Sequence, residues 1–268
     1  MPHGIGKVTH HEGTYVYVGE WENGKRKGRG KLTDGNYIYM GYWEDDHRKG
    51  WGMEEFVGDS EWAGDKFEGM FDNDVRNGIG QYTYDNGDYY MGTYHNNERE
   101  GIGKKEILEL YEYMGEFKDD RMDGWGVLKF TESGDVYEGQ FKNDLRHGFG
   151  YYDYADNDFY IGQWKTGKQE GKGHLHQEDY DYIGDWHEDA VDGWGIQKWT
   201  DGEAYEGEFK MDERDGFGRW VTRNNNRYEG FFKKGVRHGF GEFSKPNGYN
   251  YRGFWVDDRK QGEGYEIM

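Results

Sequence analysis

The stretch that decides the fold runs from Tyr137 to Gly150 and reads YEGQFKNDLRHGFG. It opens with an aromatic-x-Gly-x-aromatic pentad at 137–141 and closes with a Gly-x-Gly at 148–150. Within the pentad every second residue is an aromatic ring or the glycine, and this period of two is typical of a β-strand with one distinct face. Both rings therefore lie on one face of a predicted strand, with Glu138 and Gln140 on the other.

The same pattern recurs along the whole chain, with a Gly-x-Gly nine residues after every pentad glycine. The sequence thus predicts a single array over residues 1–268, with about eleven repeats of 22–24 residues. The 41–69 interval carries five extra residues, around 57–64, which we expect to form a bulged loop or a degenerate turn. An additional Gly-x-Gly at 4–6 and the stop soon after 262–264 predict half repeats at both ends. The pentad glycines are Gly19, Gly41, Gly69, Gly92, Gly115, Gly139, Gly162, Gly184, Gly207, Gly230 and Gly253.

Each Gly-x-Gly opens a second alternating run, so one repeat reads as a β-hairpin whose turn has about six residues. By parity, both glycines of the Gly-x-Gly lie on the ring face, where they leave room for the pentad rings. Only 33% of the residues are hydrophobic while 19% are aromatic, which favours stacked rings over a thick core. The expected fold is all-β, an elongated single-layer antiparallel sheet about 100 Å long that forms a twisted trough.

Charge and composition exclude several classes of function. The net charge of −20 argues against nucleic acid and disfavours anionic lipid as partners, and it favours a basic protein partner. The chain has no cysteine, no signal peptide and no long apolar run, so we expect a cytoplasmic protein. No nucleophile stands near a base in a recognisable spacing, and we predict no catalytic residue, no cofactor and no metal site. His174 and His176 share a strand face, but no third ligand follows at a fixed offset.

The pentads and the Arg146-His147-Gly148-Phe149-Gly150 segment resemble the membrane occupation and recognition nexus (MORN) repeat, over residues 4 to 264. This resemblance implies an elongated single-layer antiparallel sheet, as in junctophilins, radial spoke head proteins, retinophilin and cytoskeletal scaffolds of protists. It also implies a scaffold that binds peptides or helices in a groove, with end-to-end dimers and lipid contacts in some members. The sequence departs from the family pattern at the 41–69 insertion and at 104–110, where a glycine-bearing turn is missing.

From the resemblance and the alternation we predict a non-catalytic protein-protein interaction scaffold of a cytoskeletal or ciliary assembly such as a radial spoke head. Its aromatic groove receives a peptide or helix of another protein. Alternatives are a tether to anionic phospholipid membranes and the regulatory arm of a larger enzyme. An end-to-end homodimer is also expected. The groove residues are predicted to be Tyr113, Phe117, Tyr137, Phe141, Tyr160, Trp164, Tyr182 and Trp186, assisted by Phe130, Tyr154 and Trp199; their alternative role is packing of the sheet.

Two further residue series accompany the pentads. The residue between the paired glycines is usually apolar, and by parity it lies on the back face, where nothing in the array covers it. We interpret it as a second binding surface, formed by Trp51, Trp125, Phe149, Trp194, Phe217 and Phe240; the alternative is that Lys and Glu stems cover these rings. An arginine ladder either binds phosphates or acidic peptides, or pairs with carboxylates of adjoining turns. Its members are Arg26, Arg48, Arg76, Arg99, Arg146, Arg214 and Arg237.

Overall fold

The structure is a computed structural model that describes residues 2–10 and 13–267. None of these residues lies in an α-helix, and consequently none belongs to a helix long and apolar enough to cross a bilayer. The strands, in chain order, are β1 (Gly4–His10), β2 (Tyr15–Glu22), β3 (Lys25–Asp34), β4 (Tyr37–Glu44), β5 (His47–Phe56), β6 (Lys66–Asp72), β7 (Val75–Thr83), β8 (Tyr89–His95), β9 (Glu98–Ile107), β10 (Tyr111–Lys118), β11 (Arg121–Phe130), β12 (Val136–Lys142), β13 (Leu145–Asp153), β14 (Phe159–Lys165), β15 (Lys168–His176), β16 (Tyr180–His187), β17 (Ala190–Trp199), β18 (Ala204–Lys210), β19 (Glu213–Val221), β20 (Arg227–Lys233), β21 (Val236–Ser244), β22 (Asn250–Val256) and β23 (Arg259–Ile267).

The chain divides into two compact units. The first contains the residues up to Ser133 together with Phe141–Asp144, and the second contains Gly134–Gln140 together with the chain from Leu145 on. Within the first unit, each strand from β1 to β10 pairs antiparallel with the next strand in the chain. Within the second, each strand from β13 to β22 does the same. The predicted fold class, a single-layer antiparallel sheet of consecutive hairpins, is confirmed.

Two-residue turns connect each pentad strand to the following Gly-x-Gly strand. Both turn residues have positive φ, which is the signature of a type I′ turn, and Asn, Asp and Gly dominate these positions because they tolerate that backbone best. The prediction of a six-residue turn was wrong, because the strands continue up to these two residues. The turns are 23–24, 45–46, 73–74, 96–97, 119–120, 143–144, 166–167, 188–189, 211–212, 234–235 and 257–258.

Turns of neighbouring repeats are fastened to one another by backbone hydrogen bonds. The Asp189 amide donates to the carbonyl of Gln169 at 3.1 Å, and the Asp189 carboxylate accepts the Gln169 amide at 2.7 Å. The same exchange joins Asp258 to Arg237. In both repeats the turn therefore satisfies a donor and an acceptor that the sheet would otherwise leave to water, whereas Gly167 donates its amide to the Arg146 carbonyl but has no side-chain acceptor.

From β5 onward, loops of three to nine residues lead from each Gly-x-Gly strand to the next pentad strand, whereas only residues 35–36 connect β3 to β4. The insertion forms the loop 57–65, which is held by hydrogen bonds from Val57 to the Asn36 carbonyl and from Gly64 to the Phe56 carbonyl. The ring of Trp62 packs against Phe56 at 5.8 Å. The expected bulged loop is confirmed, and so is the atypical connection after 104–107, where Glu109 supplies the positive φ in place of glycine.

Candidate functional site

The first ring of each pentad lies flat on two glycines. The Tyr137 hydroxyl donates to the carbonyl of Gln140 at 3.0 Å, which holds the ring down along its own strand. A methyl group built on Gly150 would come within 2.3 Å of the Tyr137 oxygen, and one on Gly139 within 2.6 Å of it. One ring thus occupies the space of two side chains, one on the pentad glycine and one on the second glycine of the following Gly-x-Gly. The same hydroxyl bond recurs at Tyr17, Tyr39, Tyr90, Tyr113, Tyr160, Tyr182, Tyr205, Tyr228 and Tyr251.

The first glycine of each Gly-x-Gly has a different role from the predicted one. Gly171 has a φ of +68°, and the pairing between β14 and β15 shifts register between Gly162 and Trp164. A methyl group on Gly171 would meet the side-chain oxygen of Gln163, on the back face. The prediction that both glycines lie under the rings was wrong, because a bulge interrupts the alternation.

A carboxylate or amide on the back face caps this bulge in several repeats. The Gln163 side chain accepts the amide of Lys172 at 2.9 Å, and Glu208 accepts the amide of Phe217 at 3.0 Å. The fourth residue of the pentad supplies the acceptor, which explains why it is often Glu, Gln or Asp. Where it is apolar, as at Phe231, the back face instead gains a hydrophobic side chain.

Rings of successive repeats contact one another edge to face. Tyr160 meets Trp164 of its own repeat and Trp186 of the next, with centroids 5.2 Å apart in both pairs. In the other unit, Tyr113 contacts Phe117 and Phe141 in the same way. Such pairs contribute about 0.5–1.5 kcal/mol each beyond the burial of area.

The predicted groove residues divide into two groups by exposure. The eight pentad rings are buried to at least 94% and pack the sheet, which is the alternative role stated for them above. Their direct contact with a partner stays a prediction. Phe130, Tyr154 and Trp199 are half-buried, on the same face. The buried group is Tyr113, Phe117, Tyr137, Phe141, Tyr160, Trp164, Tyr182 and Trp186.

The arginine ladder covers the second ring of the following pentad. The Arg237 guanidinium lies 4.2 Å from the Trp255 ring centroid, and its Nε donates to the Asp258 carboxylate at 2.8 Å. Arg26 makes the equivalent contacts with Trp43 and Asp46. The interpretation that these arginines pair with turn carboxylates is thereby favoured. Met122, Gln169 and Val191 interrupt the ladder.

The repeat at the insertion carries a buried carboxylate. Glu54 is only 3% exposed and replaces the leucine found at Leu32 and Leu128. It accepts hydrogen bonds from the Tyr37 hydroxyl at 2.9 Å, from Arg48 Nη1 at 3.0 Å and from Arg76 Nε at 2.5 Å. Every oxygen of this carboxylate is satisfied, so the cluster is structural.

The residues between the paired glycines lie on the back face, where they remain accessible. Trp51, Trp125, Phe149, Trp194 and Phe240 are exposed and Phe217 is half-buried. Direct pairing of Trp51 with Met70, and of Phe217 with Phe231, extends this apolar series onto the pentad strands. Whether these residues bind a partner stays a prediction.

His174 and His176 both face Asp181, with a ring nitrogen of each 2.9 Å from the same carboxylate oxygen. The two imidazoles hold the pKa of the Asp181 carboxyl below its usual range. The Phe159 ring stacks on the His176 ring, with centroids 5.1 Å apart. In the described part of the chain, no group of three His, Cys, Asp or Glu side chains is arranged to hold a metal ion.

The long loops carry a charge pattern that the repeat motif does not contain. The seven consecutive loops from 57–65 to 200–203 contain acidic residues and no lysine or arginine. The next two, 222–226 and 245–249, contain Arg223 and Lys245 and no acid. Successive hairpins place the long loops of each unit along one rim, so the charge changes sign along the rim of the second unit.

Beside the acidic loops lies a row of half-buried aromatic side chains on the ring face. In the second unit, Tyr180 and Trp199 pair across β16 and β17, with ring centroids 6.4 Å apart. They line a shallow concavity together with four carboxylates, Asp158, Glu178, Asp179 and Asp201. In the first unit the row contains Tyr37, Phe56, Tyr84, Tyr111 and Phe130.

The solved structures that match the chain include two at low sequence identity. The TCP domain of SAS-4 (dCPAP), in complex with a proline-rich motif of Ana2 (dSTIL) of Drosophila melanogaster, is 12% identical, covers 55% of this chain and 85% of its own, and gives a TM-score of 0.33. A streptogramin B lyase is 13% identical, covers 94% of this chain and 90% of its own, and gives a TM-score of 0.16. Among curated proteins there is no significant match.

The sequence model of the MORN repeat matches ten segments: 17–37, 67–89, 90–106, 113–134, 137–159, 160–181, 182–204, 205–227, 228–248 and 251–267. The stretch 38–66, which includes the inserted loop, is not matched. Tyr39 and Trp43 in this stretch are nevertheless buried and contact each other edge to face, like the pentad rings of the other repeats. Because the matched segments cover well over half of its residues, the chain belongs to the MORN repeat family.

Proposed function

We propose that this chain is a non-catalytic protein-interaction scaffold of a cytoplasmic cytoskeletal or ciliary assembly, and that it binds a basic peptide or helix of another protein along its ring face. The observation that carries the proposal is the concavity at Tyr180 and Trp199. The two aromatic rings and four carboxylates line it, and none of these four carboxylates makes an ion pair with a lysine or arginine within residues 13–267.

Aromatic faces and carboxylates together recognise lysine and arginine side chains. The ring quadrupole attracts the cation, the carboxylates add Coulombic attraction, and the aliphatic stem of the cation packs on the ring. Buried pentad rings support this role indirectly, because they hold the sheet rigid without a second layer, while the half-buried row lies at the surface. A rigid repeat surface suits an extended or helical segment.

The acidic loops also favour this function over a membrane tether. Anionic phospholipid requires cations at the surface, whereas the loops from 57–65 to 200–203 present carboxylates alone. Family membership by itself is compatible with a scaffold and with membrane binding, so the charge of the rim is the feature that separates the two.

Photocrosslinking tests the proposal directly. A benzophenone amino acid replaces Trp199 on the ring face in one variant and Trp194 on the back face in another. We expect crosslinking at position 199 to a lysine- and arginine-rich segment of a cellular protein, weakened by salt, and no such product at 194. The charge reversal Asp179→Lys/Asp201→Lys removes the product, whereas Glu206→Lys, on the exposed back face, leaves it. Products confined to position 194, or crosslinks to lipid alone, would overturn the proposal.

A further inference from the structure

The back face of the last repeats carries an apolar stripe that the other repeats of the second unit lack. Phe217, Phe231, Phe240 and Phe254 lie on four consecutive strands, β19 to β22. Phe217 pairs directly with Phe231, and Phe240 with Phe254, with ring centroids 5.7 and 5.5 Å apart. We name these four residues the phenylalanine stripe.

The stripe exists because the bulge cap is absent in two repeats. In the preceding repeats of this unit, the capping residues Gln163, Asp185 and Glu208 separate Phe149, Lys172, Trp194 and Phe217 from one another along the row. At β20 and β22 the capping position holds Phe231 and Phe254 instead, so four phenylalanines follow one another. Phe231, Phe240 and Phe254 expose 49%, 41% and 55% of their surface.

Cations surround the stripe. Arg219, Arg227 and Arg252 line a shallow concavity with three of its rings, facing only two carboxylates, Glu229 and Glu242. Arg219 pairs with Glu229 at 3.1 Å and Arg252 lies 5.5 Å from the Phe240 centroid. Arg227 makes no ion pair with any residue that the structure describes. The adjoining loops add Arg223 and Lys245, so this patch is basic on a chain of net charge −20.

We propose that the phenylalanine stripe binds an acidic amphipathic helix of another protein. A helix that lies across the strands presents apolar residues on one face about every 5.4 Å, the length of one helical turn. Neighbouring strands are roughly 4.8 Å apart, so one apolar residue of the helix can contact each phenylalanine over these four strands. Its acidic residues then lie against Arg219, Arg227 and Arg252. The site is separate from the proposed ring-face site in face and in the charge of its ligand.

Neither a second copy nor a membrane satisfies the patch as well. Face-to-face pairing of two copies would bring the same arginines together, because a two-fold interface places each patch on itself. An anionic bilayer would meet the three arginines, but also the carboxylate-only loops 177–179 and 200–203 of the same unit.

Fluorescence anisotropy with synthetic peptides tests the inference. The probe is a labelled helical peptide with leucines at i, i+3, i+4 and i+7 and glutamates elsewhere. The matched control peptide has lysine in place of every glutamate. We expect the full chain to bind the glutamate peptide and not the lysine peptide, with affinity that falls as salt rises. Phe231→Ser/Phe240→Ser and Arg227→Glu/Arg252→Glu should each weaken binding by about tenfold or more.

Matched controls keep the test independent of folding and of the ring face. Ile183→Ser removes an exposed apolar side chain of the back face outside the patch, and Lys210→Glu reverses an exposed charge outside it; both should bind as the unaltered chain does. Circular dichroism establishes that every variant is folded. Equal binding by the patch variants and the controls, equal binding of both peptides, or patch-dependent self-association or vesicle binding without peptide binding would each overturn the inference.

Discussion

The Tyr137 ring lies against Gly150 so closely that its hydroxyl oxygen would be 2.3 Å from any Cβ placed there. The ring has no room to yield, because its hydroxyl is bonded to the Gln140 carbonyl and its edge contacts Trp164 at a centroid distance of 5.3 Å. In this relationship a side chain of one strand fills the site of a missing side chain on the next.

Gly150→Ala should therefore destabilise the sheet by about 1–3 kcal/mol, through overpacking of a full aromatic layer. Thermal unfolding followed by circular dichroism measures the effect. The control is Gly202→Ala, where φ is +91° but no atom lies within 4 Å of the added methyl group, so only backbone strain of about 1–2 kcal/mol applies. Restoration of Gly150→Ala stability by the additional change Tyr137→Leu would support steric overlap as the cause. An alanine tolerated at position 150 without loss would contradict it.

The turn residue Asp189 combines a left-handed backbone with a hydrogen bond to the preceding repeat. Asp189→Gly keeps the backbone and loses the carboxylate acceptor of the Gln169 amide, which should cost about 1 kcal/mol. Asp189→Asn keeps both features and should be nearly neutral, whereas Asp189→Ala loses both and should be the least stable of the three. Urea unfolding of the three variants gives the order. An Asp189→Gly variant as stable as the unaltered chain would show that the inter-repeat bond contributes nothing.

Buried tyrosines make the fold sensitive to alkali. Burial raises the pKa of nine first-ring tyrosines, to about 12 for Tyr17 and Tyr90. The pKa of a tyrosine in the unfolded chain is about 10, so above pH 10 the folded state holds protons that the unfolded state has lost. The contribution of these tyrosines to the free energy of unfolding is therefore complete below about pH 10 and falls as the pH rises toward 12. Each tyrosine that must ionise contributes about 1.4 kcal/mol per pH unit to this loss. We expect tyrosinate absorbance to rise together with the loss of β-sheet circular dichroism, and ionisation of all tyrosines in an intact sheet would refute the coupling.

We expect loss of the buried Glu54 carboxylate to lower the stability of the fold far more than loss of the neighbouring Glu55 carboxylate. Glu54→Gln leaves Arg48 and Arg76 close together without the negative charge between them and should cost about 2 kcal/mol, less than a fully buried pair because both guanidiniums are partly exposed. Glu55→Gln is the control, because Glu55 pairs with Lys66 on the more exposed back face and should change stability by less than about 0.5 kcal/mol. Thermal unfolding compares the two. Equal effects would mean that the Glu54 cluster is not a source of stability.

Much of the fold was predictable from the pentads alone. A period of two fixes which side chains share a face, and the recurrence fixes the number of hairpins, so the positions of Tyr137 and Phe141 and the exposure of Trp194 on the back face followed directly. Parity failed at Gly148 and Gly171, because a positive φ and an added residue in one strand turn the backbone out of alternation. The turn length was misjudged for a related reason, since Asn143-Asp144 closes the hairpin within two residues that look like part of a loop.

The candidate site was less predictable, since exposure depends on neighbours that are distant in sequence. Whether Trp164 is available to a partner depends on Arg146, whose guanidinium lies 4.3 Å from its centroid, and on the glycines of adjoining strands. The acidic residues near Trp199 can be read from the sequence, but only the stacking of the hairpins brings them together along one rim.

That this chain forms β-hairpins of the MORN type, and which face each ring takes, could be inferred from the residues alone, because local alternation and glycine spacing are properties of single strands. The burial of some rings and exposure of others, the position of the backbone bulges, and the grouping of loop charges into an acidic and a basic stretch became evident from the folded sheet. Those features arise from contacts between repeats, and the spacing within one repeat does not contain them.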